Sequence, residues 1–211
     1  MLVHPDELVP LARLLQFLER GERLAHDCAR AQAALAPDAG ARRFLAGQAR
    51  QEALHAAVFH GTVAWLAPRH LGECPVLPPL ERYRALIEEA IEGRRFAETL
   101  LAEQIILEGL GEAILKRLEV GLVKRRAGFG HLRRILLHQE ETHHAFGRRA
   151  LERAIEAGQA APEALRGRAQ EYLAVADEMV MALGDLFASI DEDADAYIKD
   201  ARSALPPWLN Q

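Results

Sequence analysis

Gln139-Glu140-Glu141-Thr142-His143-His144 and Glu52-Ala53-Leu54-His55 each place a glutamate three residues before a histidine. On an α-helix such residues differ by about 60° around the axis, so their side chains can grip one ion together. One such pair carries little weight in a chain rich in Glu. Two of them, on separate long helices that each follow a helix with a core-facing Glu, decide how the rest of the chain is read.

Pro and Gly punctuate the chain into long segments. The pattern predicts helices over about 6–35, 41–66, 96–118 and 131–156, a short one over 81–92, and a fifth long one over 162–190. Short breaks at Pro37-Asp38-Ala39-Gly40 and at Gly128 and Gly130 make each pair antiparallel neighbours. The segment 67–95 is long enough to carry the chain from one end of a bundle to the other, as an overhand connection requires. No run of β-branched residues alternates with period two, so the fold class is all-α. The chain reads as one domain, with a core bundle over about 6–156 and a C-terminal helical extension over about 162–204.

Helical phase selects among the acidic residues. Leu132, Leu136, Gly147, Ala150 and Ala154 form one stripe on the fourth long helix, and Glu140 and His143 lie on it. Glu141 and His144 lie roughly 60–100° away on the helical wheel, and read as surface residues or as supports behind the ligands. On the first helix Glu22 sits within the stripe Leu11, Leu14, Leu15, Leu18, Ala25 and Ala29, and Glu19 sits at its edge. The third helix is apolar almost all round about Glu108, in Gln104-Ile105-Ile106-Leu107-Glu108-Gly109-Leu110. A carboxylate buried there alone costs several kcal/mol or is neutralised, and a metal ion removes the difficulty. Glu112, one turn later, is the alternative. Glu22 and Glu52 are 30 residues apart, and Glu108 and Glu140 are 32 apart. The chain therefore reads as two similar halves, each giving Glu and then Glu-x-x-His. Four carboxylates and two neutral imidazoles balance two divalent cations.

This set, Glu22, Glu52-x-x-His55, Glu108 and Glu140-x-x-His143, resembles the ligands of the ferritin-like di-iron carboxylate superfamily. The stretch Glu140-Glu141-Thr142-His143-His144-Ala145-Phe146-Gly147 is similar to the fourth-helix signature of its oxygenase and rubrerythrin-like members. The resemblance covers about residues 10–155. It implies a ferritin-like four-helix bundle with a long crossover between helices 2 and 3, and additional C-terminal helices. It implies two iron ions, with manganese or a mixed pair as the alternative, held by Glu22, Glu52, His55, Glu108, Glu140 and His143. It further implies reaction with O2 or peroxide, an organic substrate, small or long-chain, and an electron donor. The rival within the same fold is a ferroxidase, iron-storage or peroxide-scavenging protein, although the Cys-x-x-Cys pairs of a rubredoxin module are missing. Ribonucleotide reductase small subunits carry a radical Tyr one turn after the first His ligand. Phe59 stands there in this chain, so no stable tyrosyl radical is expected.

Composition narrows the remainder. The net charge is −5 with Arg and Glu interspersed, so no basic stripe marks a nucleic-acid partner. Lys124-Arg125-Arg126 reads as a solvated loop. No leader and no membrane-spanning run is expected, and Cys28 and Cys74 have neither metal nor disulfide spacing, so the default location is a reducing cytoplasm. Leu165, Tyr172, Ala176, Met179, Leu183, Leu186 and Ile190 stripe the fifth helix as core or as the seam of a homodimer. Trp65 and Trp208 read as packing residues. Residues one turn from the ligands sort into a small, polar end (Ala25, Gln48, Gln104, Gly147) and an apolar end (Leu18, Phe59, Gly111, Leu136). The apolar end is the expected pocket, unless Gly111 and Gly147 only let helices approach closely.

Overall fold

The computed structural model describes residues 8–74, 77–124, 130–189, 193–203 and 205–209. Helix α1 (Leu8–Leu35) and helix α2 (Ala39–Leu66) form the first antiparallel pair. Asp38 starts α2, its carboxylate accepting from the Ala41 N–H at 2.8 Å, which satisfies one of the donors a helix leaves open at its N-terminus. A 3₁₀ turn (Pro68–His70) and helix α3 (Leu77–Glu92) make the crossover. The third long helix is continuous but not uniform. It runs as α4 (Phe96–Leu100), a π-helical segment (Leu101–Leu107) and α5 (Glu108–Lys124). Helix α6 (Gly130–Glu156) packs on α5 and on the π segment. Residues 125–129, with most of the basic run, lie outside the described residues, as does Ile190.

The four long helices form the ferritin-like bundle. Their buried stripes advance by alternating steps of three and four, the spacing that keeps one face toward a core. On α1 the stripe includes Leu18, Glu22, Ala25, Ala29 and Gln32. On α2 it is Leu45, Ala49, Glu52, Ala56, Phe59 and Val63, and on α6 it is Leu136, Glu140, His143, Gly147, Ala150 and Ala154. The charged residues are thus part of the core pattern, held inward by the hydrophobic residues above and below them on the same face.

The C-terminal helices complete that core. Helix α7 (Pro162–Met181) packs on α3 and the π segment, and helix α9 (Ala194–Ser203) packs on α5 and α7, while helix α8 (Gly184–Ser189) reaches α1. Leu165, Tyr172, Ala176, Met179, Leu183 and Leu186 are all buried within the chain. Core is therefore the reading of that stripe that holds, and the helix breaks after Met181 rather than running on. Trp65 departs from expectation: it is 61% exposed on the outer face of α2, where none of the described helices covers it. Trp208 packs against the main core as expected.

Candidate metal centre

Glu22, Glu52, His55, Glu108, Glu140 and His143 converge in the middle of the bundle, and each is at least nine-tenths buried. They form two groups that share Glu52. One is Glu22, Glu52, His55 and Glu140; the other is Glu52, Glu108 and His143. Within each group the donor atoms lie within 4.8 Å of one another. His55 Nδ1 lies 3.0 Å from Glu52 Oε2 and 3.2 Å from Glu22 Oε2 and Glu140 Oε1. His143 Nδ1 lies 2.9 Å from Glu52 Oε1 and 3.5 Å from Glu108 Oε1. Glu52 therefore presents one oxygen to each imidazole, as a carboxylate bridging two ions does.

The outward ring nitrogens explain how the inward ones are aimed. His55 Nε2 lies 2.8 Å from Gln139 Oε1, and His143 Nε2 lies 2.8 Å from Gln51 Oε1. An amide oxygen only accepts, so each Nε2 carries the hydrogen and each Nδ1 can turn a lone pair toward the cluster. Each glutamine immediately precedes the glutamate of its own Glu-x-x-His motif and supports the histidine of the other. Sequence reading passed over both. The Gln-Glu-x-x-His repeat at 51–55 and 139–143 was the available signal.

The donor set fits a pair of cations. Both oxygens of Glu52, Oε1 of Glu140 and Nδ1 of His143 are buried without a hydrogen-bond partner. Orphaned buried polar atoms are rare and costly, and a cation at each position would satisfy all of them. Hard carboxylate oxygens with two imidazoles suit iron or manganese. Without cations the cluster must hold protons. Burial, and then repulsion from Glu140 and Glu52, pushes the pKa of Glu22 and of Glu108 well above the carboxylate range. Burial opposes a charge on His55, but its contacts with Glu140, Glu22 and Glu52 outweigh this and raise its pKa. Burial likewise opposes a charge on Glu52, and His143 and His55 outweigh that and lower its pKa.

The rejected alternatives make other bonds. Glu19 pairs with Arg23 and with His60. Glu112 binds His144 Nδ1 at 2.8 Å and also Lys116, which lowers its pKa to about 2. Glu141 is exposed and reaches Lys116 at 3.2 Å.

The expected pocket is partly relocated. A crevice between α1 and α5 touches Glu22, Glu108 and Glu140 and is lined by Phe17, Leu18, Ala25, Leu110, Gly111 and Ile114 among others. Leu18 and Gly111 belong to it as anticipated, but Phe59 and Leu136 do not line it and Ala25 does. Its empty volume is about 420 Å³ including the mouth, yet the room for the centre of a water molecule is about 40 Å³. At roughly 10–15 Å³ per water on that measure, the crevice holds only a few waters unless side chains move. The polar end is closed by amides: Gln32 and Gln104 exchange hydrogen bonds at 2.9 and 2.7 Å, and Gln104 donates to Gln48 at 3.3 Å. The two glycines differ. A Cβ on Gly147 would stand 2.2 Å from Gln104 Cβ, so Gly147 permits close helix approach. A Cβ on Gly111 would meet only Glu140 Oε2, at 3.9 Å.

The architecture belongs to the ferritin-like helical bundles, and within it lies a buried carboxylate–imidazole cluster with the make-up of a metal site. No protein-family model and no curated protein matches the sequence. Among solved structures, a Synechococcus protein described as having aldehyde deformylating oxidase activity matches with a TM-score of 0.83 and 17% identity. The match covers 100% of this chain and 92% of that one. At that identity the likeness is one of fold.

Proposed function

We propose that the chain is a two-metal carboxylate oxidoreductase, iron being the metal, that activates O2 or peroxide to oxidise an organic substrate. The observation that carries this reading is the set of buried, orphaned donor atoms on Glu52, Glu140 and His143, arranged about two imidazoles whose Nδ1 atoms face inward. In this reading Glu22, Glu52, His55, Glu108, Glu140 and His143 are the ligands, and the chain acts as one cytoplasmic domain whose C-terminal helices finish its core. A bound di-iron pair supplies the electrons and Lewis acidity for oxygen chemistry. The chain's residues fix its geometry: Gln51 and Gln139 orient the imidazoles, and Glu52 spaces the two positions. Leu18, Phe17 and Ile114 exclude water from the approach to Glu22 and Glu140, and Gly111 leaves space beside Glu140 for a reacting group. Burial of an apolar substrate in that crevice is favourable by about 25 cal/mol per Å².

The Synechococcus neighbour makes aldehydes the first substrates to try. A ferroxidase or peroxide-scavenging role is the second reading, and the narrowness of the crevice favours it. Protein refolded with Fe(II) should bind about two ions per chain, the number that the ligand set serves. It is then exposed to O2 with a reductant, and separately to peroxide, with aldehydes of graded chain length. Product from an aldehyde supports the first reading. Consumption of Fe(II) or peroxide with no organic product supports the second, and no retained metal removes both.

A further inference from the structure

Glu22, Glu52, His55 and Glu140 group at the first position and Glu52, Glu108 and His143 at the second, which Glu140 also adjoins through its contact with Glu108. A fifth carboxylate stands beside the second position. Glu103 is fully buried, and its Oε2 has no hydrogen-bond partner. Its carboxyl group touches that of Glu108, and the Gln48 amide nitrogen spans the two, 3.3 Å from Glu103 Oε1 and 2.7 Å from Glu108 Oε1.

The backbone explains the approach. In a regular α-helix residues five apart point about 140° away from each other. Here the Glu108 N–H donates to the Glu103 carbonyl, the bond from residue i to i−5 that defines a π turn, which brings residues five apart close to one full turn. The π segment from Leu101 to Leu107 thus sets Glu103 and Glu108 on one face, toward the cluster.

We propose that Glu103 is a ligand of the second metal position, joining Glu52, Glu108 and His143 there. This rests on the two-metal reading. Glu103 Oε2 is buried with no donor of its own, and a cation at the adjoining second position satisfies it and lets the carboxyl group give up its proton. Five carboxylates and two neutral imidazoles carry one negative charge more than two divalent ions neutralise. The completed site therefore balances one divalent and one trivalent ion.

The test is a Co(II) titration of the full, chelator-stripped chain, read by visible absorption and by bound metal per chain. The wild type should take up two ions. Glu103→Gln keeps the shape and removes a ligand oxygen. It should leave the first ion near wild-type affinity and weaken the second by more than the roughly 10–100-fold that loss of a supporting residue outside the ligand set alone causes. Its visible bands should intensify, as they do when Co(II) loses a ligand. Two ions bound with unchanged affinity and spectrum would overturn the proposal. Absence of metal in the wild type would instead overturn the two-metal reading beneath it. Glu103→Asp, which keeps the charge but shortens the reach, guards against a misfolded glutamine variant: an altered Co(II) spectrum supports ligation, and a wild-type spectrum refutes it.

Discussion

Gln51 on α2 accepts a hydrogen bond from Nε2 of His143 on α6, at 2.8 Å, across the bundle from its own motif. Gln139 does the same for His55. The two Glu-x-x-His motifs are therefore not independent clamps. Each histidine is held in its tautomer by the residue that opens the opposite motif.

The crossed arrangement predicts that Gln51→Leu and Gln139→Leu each weaken metal binding by about 10–100-fold, the usual effect of removing such a support. Gln51→Glu and Gln139→Glu, which keep an acceptor oxygen, should bind far better than the leucine variants. Competition titrations with a coloured chelator measure both. Equal affinity in leucine and glutamate variants would show that the hydrogen bond does not set the imidazole.

Protonation of the metal-free cluster gives a pH dependence with a definite sign. The folded-state pKa values of Glu22, Glu103 and Glu108 are raised by burial first. A raised carboxyl contributes stability that is complete below its unfolded value near 4.5 and is lost as pH rises through the folded value. The raised His55 acts in the same direction from 6.5 upward. Glu52 and Glu112 are lowered, so their contributions are lost only as pH falls below 4.5. Apo-protein should thus lose thermal stability as pH is raised above about 4.5, and the stabilisation by added metal should grow over the same range. Melting curves with chelator and with metal, compared from pH 5 to 8, check this. A metal-free melting point that climbs steadily with pH would contradict it.

Much of this was legible in the chain, and what was not has physical causes. The helix stripes and the acidic residues interrupting them are periodic, so phase alone separated Glu140 and His143 from Glu141 and His144. The same reasoning preferred Glu22 to Glu19; both are buried, but Glu22 joins the cluster while Glu19 turns to Arg23 and His60. Glu103 was not singled out at all, and phase would not have paired it with Glu108, because phase presumes 3.6 residues per turn and the π segment does not obey that count. Phase failed for Trp65, whose burial depends on whether another helix covers α2. It half failed for the pocket, because space between helices depends on how α1 and α5 diverge, which no single-helix pattern encodes.

Gly147→Ala should destabilise the fold. Its new methyl group would overlap Gln104 Cβ on the π segment, and overpacking of this kind costs typically 1–3 kcal/mol. Chemical denaturation of the metal-free form measures it, and a neutral effect would mean that α6 shifts freely.

Gly111→Leu addresses the crevice. The added side chain points toward Glu140, where the glycine leaves room, so metal stoichiometry should be kept while oxidation of an organic substrate falls at least tenfold. Turnover assays beside metal analysis decide it. Undiminished turnover would place the substrate elsewhere.

Docking of the C-terminal helices should be worth as much as any core contact. Met179 is fully buried in α7, and Met179→Ala should cost about 2–5 kcal/mol. A cost near zero, read from denaturation midpoints, would mean that α7 is dispensable to the bundle.

The π segment also says something about descent. Bonds from i to i−5 take up one more residue per turn than those of an α-helix. The third long helix is therefore equivalent to an ordinary one into which a residue was inserted between Leu100 and Glu108. Deleting one residue there, Ile105 for example, removes the extra residue. It should regularise the helix, leave α5 against α6, and rotate α4 and Glu103 by about 100° relative to Glu108. A single codon gained or lost thus separates a bundle with four inward carboxylates from one with five, without any change in the motifs by which such bundles are recognised.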